Sequence, residues 1–408
     1  MSLIRPFAAL HPATDRAAEV IAPPYDVLNS DEAKILAKGK PWSFLHISKA
    51  EIDLPQGTDV HSDEVYHKAA ENLRHMIDAG VIERETSPVY YAYRLIMDDH
   101  EQTGLVATAS VSAYDANIIK RHEFTRPDKE DDRVRQIEAL NAQTGPVLLV
   151  YPDAPTVDRM IAAACMGTPD ADAVADSGVR HTVWAIRDPV AIAELTQAFE
   201  LMPALYIADG HHRSAAASRV AAARHVAGVE SNSDYFLAVI FPRQQMRIMD
   251  YNRVIRGLNG LSVDQFLSRL ANDFIVEAAS GAVRPTQQGE FGLYLEGRWH
   301  NLQIRPNRVP ADPVGRLDVS ILQNRLIGPI LGVTDPRRDT RIDFVGGIRG
   351  LAELVRRVDS GEMTLALSMY PTPMTDLMAV ADSGEVMPPK STWFEPKLAD
   401  GLASHIID

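Results

Sequence analysis

The chain has 408 residues, a formal net charge of −14, 46% hydrophobic and 24% charged residues, and one cysteine, Cys165. This is the balance of a globular protein of roughly two or three structural units at about 150 residues each, and it argues against generic nucleic-acid binding, which needs a positive footprint. A single cysteine excludes an internal disulfide and a cysteine-built zinc site. No apolar run reaches the roughly 18 residues of a membrane helix and the N-terminus lacks a signal-peptide core, so a cytoplasmic chain with no membrane partner is expected.

Taken in order, the proline-rich stretches 5–12 and 22–27 read as a stiff crossing segment, because the residue before each proline is pushed extended. Ser30 is placed to cap a short helix ending near Gly39, Trp42 to Ile47 reads as a strand, and Ser62 caps a helix to Ala79 with Val65, Ala69, Leu73 and Ile77 at spacing four. Val89 to Met97 and Leu105 to Tyr114 predict a hairpin. A charged stretch from Ile119 to Arg133 opens a helix carrying Val134, Ile137 and Leu140. A buried strand follows at 146–151, then a helix at 157–166. The Gly/Asp/Ala stretch 167–178 reads as a linker or flexible loop.

Thr182 to Ile186 is a strand, and Asp188-Pro189 starts a helix to Phe199. After the strand, turn and helix of residues 204–227 comes a fully apolar strand, 236–241. Short apolar strands alternating with helices from Pro146 to Phe241 indicate an α/β core. Beyond Leu258 the pattern changes: a capping-box helix from Ser262, a hairpin at 291–304, helices at 318–331 and 349–358, and a strand at 365–369. The expected organisation is therefore mixed α/β and α+β: an N-terminal region 1–145, a core 146–258 and a C-terminal region 259–408.

The strongest site signal is Asp209-Gly210-His211-His212-Arg213-Ser214. It lies where an apolar strand meets an alanine-rich helix, so free backbone amides and the helix dipole favour an anion. Arg213 adds a planar fork suited to phosphate. Metal ligation by His211 or His212 is disfavoured: adjacent histidines do not share a helix face, and Arg213 repels a cation. A second cluster, His122-Glu123 with Thr125, Lys129, Asp132 and Arg133, offers Glu123 as general base and His122 as a phosphate or acceptor contact. Pro389-Lys390-Ser391-Thr392 supplies a cation and two hydroxyls without the glycines of a P-loop.

Several strings together resemble the family catalogued as domain of unknown function 1015: Arg5-Pro6-Phe7, Ala22-Pro23-Pro24-Tyr25-Asp26-Val27, Ser43-Phe44-Leu45-His46, His122-Glu123-x-Thr125, Asp209-Gly210-His211-His212-Arg213, Leu317-Asp318-Val319 and Met387-Pro388-Pro389-Lys390-Ser391-Thr392. The Asp-Gly-His-His-Arg turn is also similar to the phosphate-binding motif of the ParB/sulfiredoxin-like superfamily, whose free-serine kinase branch carries the same five residues. That resemblance implies a ParB/sulfiredoxin-like core and phosphates held by Gly210, His211, His212, Arg213 and Ser214. It implies Asp209 as a catalytic group or Mg²⁺ ligand, and ATP or ADP with Mg²⁺ as cofactor. Glu123 is the candidate base, and His122, Arg133 and Lys390 are candidate substrate contacts. The implied activity is phosphoryl transfer from a nucleotide to a small hydroxylated metabolite, free L-serine being the leading acceptor. A nucleotide-binding switch and a metal-dependent hydrolase are the alternatives. On this reading Arg213→Ala weakens phosphate binding with little loss of stability.

Overall fold

The apolar runs Val147–Tyr151 and Tyr235–Pro242 pair in parallel at the centre of a nine-stranded sheet. The computed structural model describes residues 2–407. In sheet order the strands are Ile119–Lys120, Leu205–Asp209, Val147–Tyr151, Tyr235–Pro242, His100–Ser110, Tyr90–Met97, Arg180–Ile186 and Ala171–Val174, with Ile4–Arg5 added against His100–Ser110. Ile119–Lys120 also runs parallel to Leu205–Asp209, and the remaining pairs are antiparallel. The mixed α/β class is thus the one expected.

Helices Pro155–Ala164 and Pro189–Glu200 seal the sheet with Val157, Ile161, Leu195 and Phe199, which pack with Tyr90, Tyr151 and Trp184. Each fully buried large side chain contributes roughly 1.5–3 kcal/mol. The second of these helices begins as its sequence predicts, with Asp188 accepting the Val190 amide and proline in the first turn. The alanine-rich helix His211–Arg224 is buried on two sides: Ala215, Ala217 and Ala221 join the sheet core, while Ala216 and Val220 meet Ile137 of helix Pro127–Leu140. Small side chains let both neighbours approach.

Several local expectations are corrected. Residues 42–47 form a turn leading into a short helix, Leu45–Ser48, with Phe44, Leu45 and Ile47 buried against helix Asp63–Asp78 and its neighbours. A short apolar run fits either period, and packing decides it. In helix Asp63–Asp78 the buried stripe is Val65, Ala69, Leu73 and Met76, while Ile77 is 40% exposed. Spacing of four drifts off a 3.6-residue turn, and a step of three restores it. The cap of helix Ser30–Ala37 is Asn29, in a capping box with Glu32, and Ser30 donates to Glu51 instead. The supposed linker 167–178 contains the edge strand Ala171–Val174, held by Arg180 and Thr182 on Asp172.

The division into units also differs. One unit is Met1–Met246 with Pro396–Asp408, and the other is Arg247–Glu395. No boundary falls at residue 145, because strands from both sides of it share one sheet. The second unit holds a six-stranded antiparallel sheet in the order Phe274–Ala278, Arg298–Ile304, Glu290–Leu295, Leu365–Met369, Tyr251–Ile255, Ile342–Gly346. Helix Gly350–Asp359 packs Leu354 onto Val254, Tyr294, Trp299 and Val345. The helix expected over 318–331 is α-helical only at Asp318–Leu322 and then widens to a π turn, Gln323–Ile327. Among the described residues no helix is long and apolar enough to cross a membrane.

Asp318 opens that helix as a buried carboxyl. One oxygen accepts the Gly289 amide at 2.8 Å, and the other has no partner. Burial, with Asp376 and Glu290 nearby, pushes its pKa up to about 7. A raised carboxyl pKa favours the native state at low pH, and that benefit is lost as pH climbs through about 7. Asp318→Asn is therefore expected to raise the melting temperature at pH 8 and to leave it near wild type at pH 4. The limit is about 1.4 kcal/mol per unit of pKa shift. Thermal unfolding at the two pH values checks this.

Candidate functional site

Strand Leu205–Asp209 loses register against Val147–Tyr151 between Ile207 and Asp209, so the chain leaves the ladder through a bulge. Gly210 follows at φ +97°, where an added Cβ would come within 3.2 Å of the Val147 Cα. Only glycine makes this turn without strain. Helix His211–Arg224 starts at once. In its first turn the Gly210 amide donates to Asp209 Oδ1 at 2.9 Å, and the Arg213 and Ser214 amides donate to the Gly210 carbonyl at 2.9 and 3.0 Å. Among the described residues the His211 and His212 amides have no hydrogen bond. They form the positive end of the helix dipole.

Asp209 Oδ2 lies 3.7 Å from Lys397 Nζ. Burial alone would raise this carboxyl, but Lys397, Arg213 and the Gly210 amide outweigh it and hold its pKa below the usual range. The turn therefore combines an ionised carboxylate, a lysine and two uncommitted amides.

The two histidine rings have structural partners. His211 is 4% exposed and its Nε2 accepts the His122 backbone N–H at 3.4 Å. That fixes the ring proton on Nδ1, 3.8 Å from Glu123 Oε2. His212 Nε2 accepts the Arg126 backbone N–H at 3.1 Å. The segment carrying His122 and Glu123 is thus hung on the turn by two imidazoles, and the His122 ring stands edge-on to His211 at 4.4 Å. Burial, reinforced by the charges of His122, His212 and Arg121, holds His211 well below the ordinary imidazole range. Burial brings His122 down to about 4. Both are neutral at neutral pH.

His122, Glu123 and His211 also bring ligand-type atoms within 4.8 Å of one another. Chelation through His211 Nδ1 would move its proton to Nε2, against the His122 N–H, so this hydrogen bond opposes a metal at the trio. Asp209, already ionised at the end of its strand, is the better fit for a hard cation such as Mg²⁺.

Arg213 is placed differently from the phosphate fork expected. It is 9% exposed, with NH1 donating to the Pro146 carbonyl at 2.8 Å and NH2 to Asp26 Oδ2 at 2.9 Å. Arg133 forms a fork on Asp132 at 2.9 and 2.6 Å and lies over the Tyr25 ring. Both arginines, with Tyr25 and Asp400, line a cavity of about 30 Å³, room for about two waters and too small for a nucleotide. Ser214 is fully buried and donates to the His211 carbonyl. Lys390 belongs to the second unit, where its ammonium lies 5.6 Å from the centre of the Tyr251 ring. The first unit thus brings together His122, Glu123, Asp209, Gly210, His211 and His212. Lys397 and Asp26 join them unforeseen, although Asp26 lies in one of the motif strings above and Lys397 follows another closely.

The stability expectation for Arg213 is accordingly reversed. Arg213→Ala leaves the buried Pro146 carbonyl unpaired and Asp26 without its cation, and is expected to cost roughly 2–3 kcal/mol. Denaturant unfolding of the variant measures it.

No curated protein matches the chain. Among solved structures, a conserved hypothetical protein from Pyrococcus furiosus aligns at 15% identity over 73% of this chain and 94% of its own, with a TM-score of 0.35. A free serine kinase in complex with ADP aligns at 14% identity over 73% and 92%, with a TM-score of 0.35. SbnI from Staphylococcus aureus, with a C-terminal truncation, aligns at 10% identity over 72% and 85%, with a TM-score of 0.38. The model of the family described as "Protein of unknown function (DUF1015)" matches residues 4–320, most of the chain. The chain belongs to the DUF1015 family.

Proposed function

We propose that the chain is a nucleotide-dependent phosphotransferase acting on a small hydroxylated metabolite, with free L-serine the leading acceptor. The observation that carries this reading is the first turn of helix His211–Arg224: two amides without partners, beside an ionised Asp209 and Lys397, faced by the segment bearing Glu123. The resemblance of Asp209-Gly210-His211-His212-Arg213 to a phosphate-binding turn supports the same chemistry.

In this reading the His211 and His212 amides bind phosphate oxygens, as helix N-termini do. Asp209 holds Mg²⁺, which supplies neutralisation of phosphate charge when bound. Lys397 adds a second positive group. Glu123, half exposed and next to the Nδ1–H of His211, accepts the proton of the attacking hydroxyl. The His211 proton steadies that carboxylate without competing for the hydroxyl. The histidine side chains and Arg213 shape the turn and leave direct phosphate contact to the backbone. Phosphoryl transfer asks mainly for such positioning and charge neutralisation.

The deciding experiment incubates the purified chain with Mg²⁺, ATP or ADP, and L-serine within a panel of hydroxylated metabolites, followed by ³¹P NMR. A new phosphomonoester resonance is expected. Nucleotide binding without any product would favour a non-catalytic switch, and no binding would overturn the reading. Glu123→Gln is expected to lower kcat about 10²–10³-fold while KM stays within about threefold. A loss of folded yield in step with activity would instead assign Glu123 a structural role.

A further inference from the structure

The second unit contains a buried cation without an anionic partner. Arg253, in strand Tyr251–Ile255, is 4% exposed. Its NH1 donates to the Tyr251 carbonyl and its NH2 to the Lys390 carbonyl at 2.9 Å, and Phe344 lies 5.3 Å from the guanidinium. Among the described residues no carboxylate pairs with it. Burial lowers its pKa to about 10, so the group is still charged at neutral pH. The buried arginines of the first unit stand in contrast: Arg133 is matched by Asp132 and Arg213 by Asp26. A buried charge left without a counter-charge is costly, and carbonyl dipoles offset only part of the cost.

Arg253 also lines a cavity of about 520 Å³. Its other walls are mostly apolar: Val319, Ile327, Ile342, Phe344 and Pro388. Ile327 is supplied by the π turn Gln323–Ile327, a distortion that widens the helix where it borders the cavity. At the rim, Asp335 is held by its own loop, accepting the Arg337 amide at 3.0 Å and lying 3.8 Å from Arg338. That leaves two cations on the lining, Arg253 in the buried wall and Arg337 on the exposed loop at the rim.

We infer that this pocket binds a small organic anion, an apolar body ending in one acidic group, with Arg253 as its counter-charge. The volume is that of an ordinary small-molecule site. Apolar walls recognise the body, and the guanidinium selects the acidic end. The inference is independent of the phosphotransferase reading, since every residue it uses belongs to the second unit.

The test titrates the full-length chain with 8-anilinonaphthalene-1-sulfonate, followed by fluorescence, beside N-phenyl-1-naphthylamine, which has the same apolar body and no sulfonate. Saturable one-to-one binding of the sulfonate is expected, with the neutral probe at least about tenfold weaker. Arg253→Met keeps the bulk and removes the charge. It is expected to weaken sulfonate binding about tenfold or more while the melting temperature holds or rises. Thr334→Trp, at the exposed rim, narrows the mouth with Arg253 intact and is expected to weaken binding without unfolding the chain. Equal affinity for the two probes, or wild-type sulfonate affinity in either variant, would overturn the inference. Should Arg253→Met fail to fold, the probe pair and Thr334→Trp decide it.

Discussion

The first unit depends on two imidazole nitrogens accepting backbone N–H groups. His211 and His212 spend their Nε2 lone pairs on the amides of His122 and Arg126. That choice joins the segment carrying Glu123 to the start of helix His211–Arg224, across nearly ninety positions of sequence. It also dictates protonation, because an imidazolium has no lone pair with which to accept. Burial keeps both rings below their ordinary pKa, so neutrality and the hydrogen bond support each other. Adjacent histidines, which look in a sequence like an invitation to metal, act here as brackets for a loop.

The same economy extends to the charges. Arg213 and Arg133 are matched inside the fold by Asp26 and Asp132, and Tyr25 lies against both guanidinium groups. What the turn leaves without a partner is then backbone: the amides of His211 and His212, at a turn that Gly210 alone permits. Backbone donors cost no side-chain entropy and cannot swing away, a sound basis for a preorganised site.

Much of this was legible in the sequence, and the failures share a cause. The apolar strands at 147–151 and 235–242 and the turn at 209–213 were readable because period, length and punctuation agreed. The cluster at His122 and Glu123 was readable as chemistry, but its apposition to the turn was not, since nothing local encodes a contact across the sheet. Residues 42–47 were misread because six residues cannot distinguish a strand from a helical turn before packing decides. Arg213 was legible as a fork for an anionic group, but its partner was not, because Asp26 lies 187 positions away. The nine-stranded sheet ignores the boundary drawn at 145, since strand pairing is set by exposed ladder edges and not by changes of composition.

At the ends of the second unit Ile248–Met249 pairs antiparallel with Trp393–Phe394. This pairing sets the two ends side by side, so the first unit is interrupted at what is spatially a single point. Lys397 and Asp400 are encoded beyond the interruption. A ribosome must therefore finish the second unit before the first receives Lys397, the partner of Asp209, and Asp400.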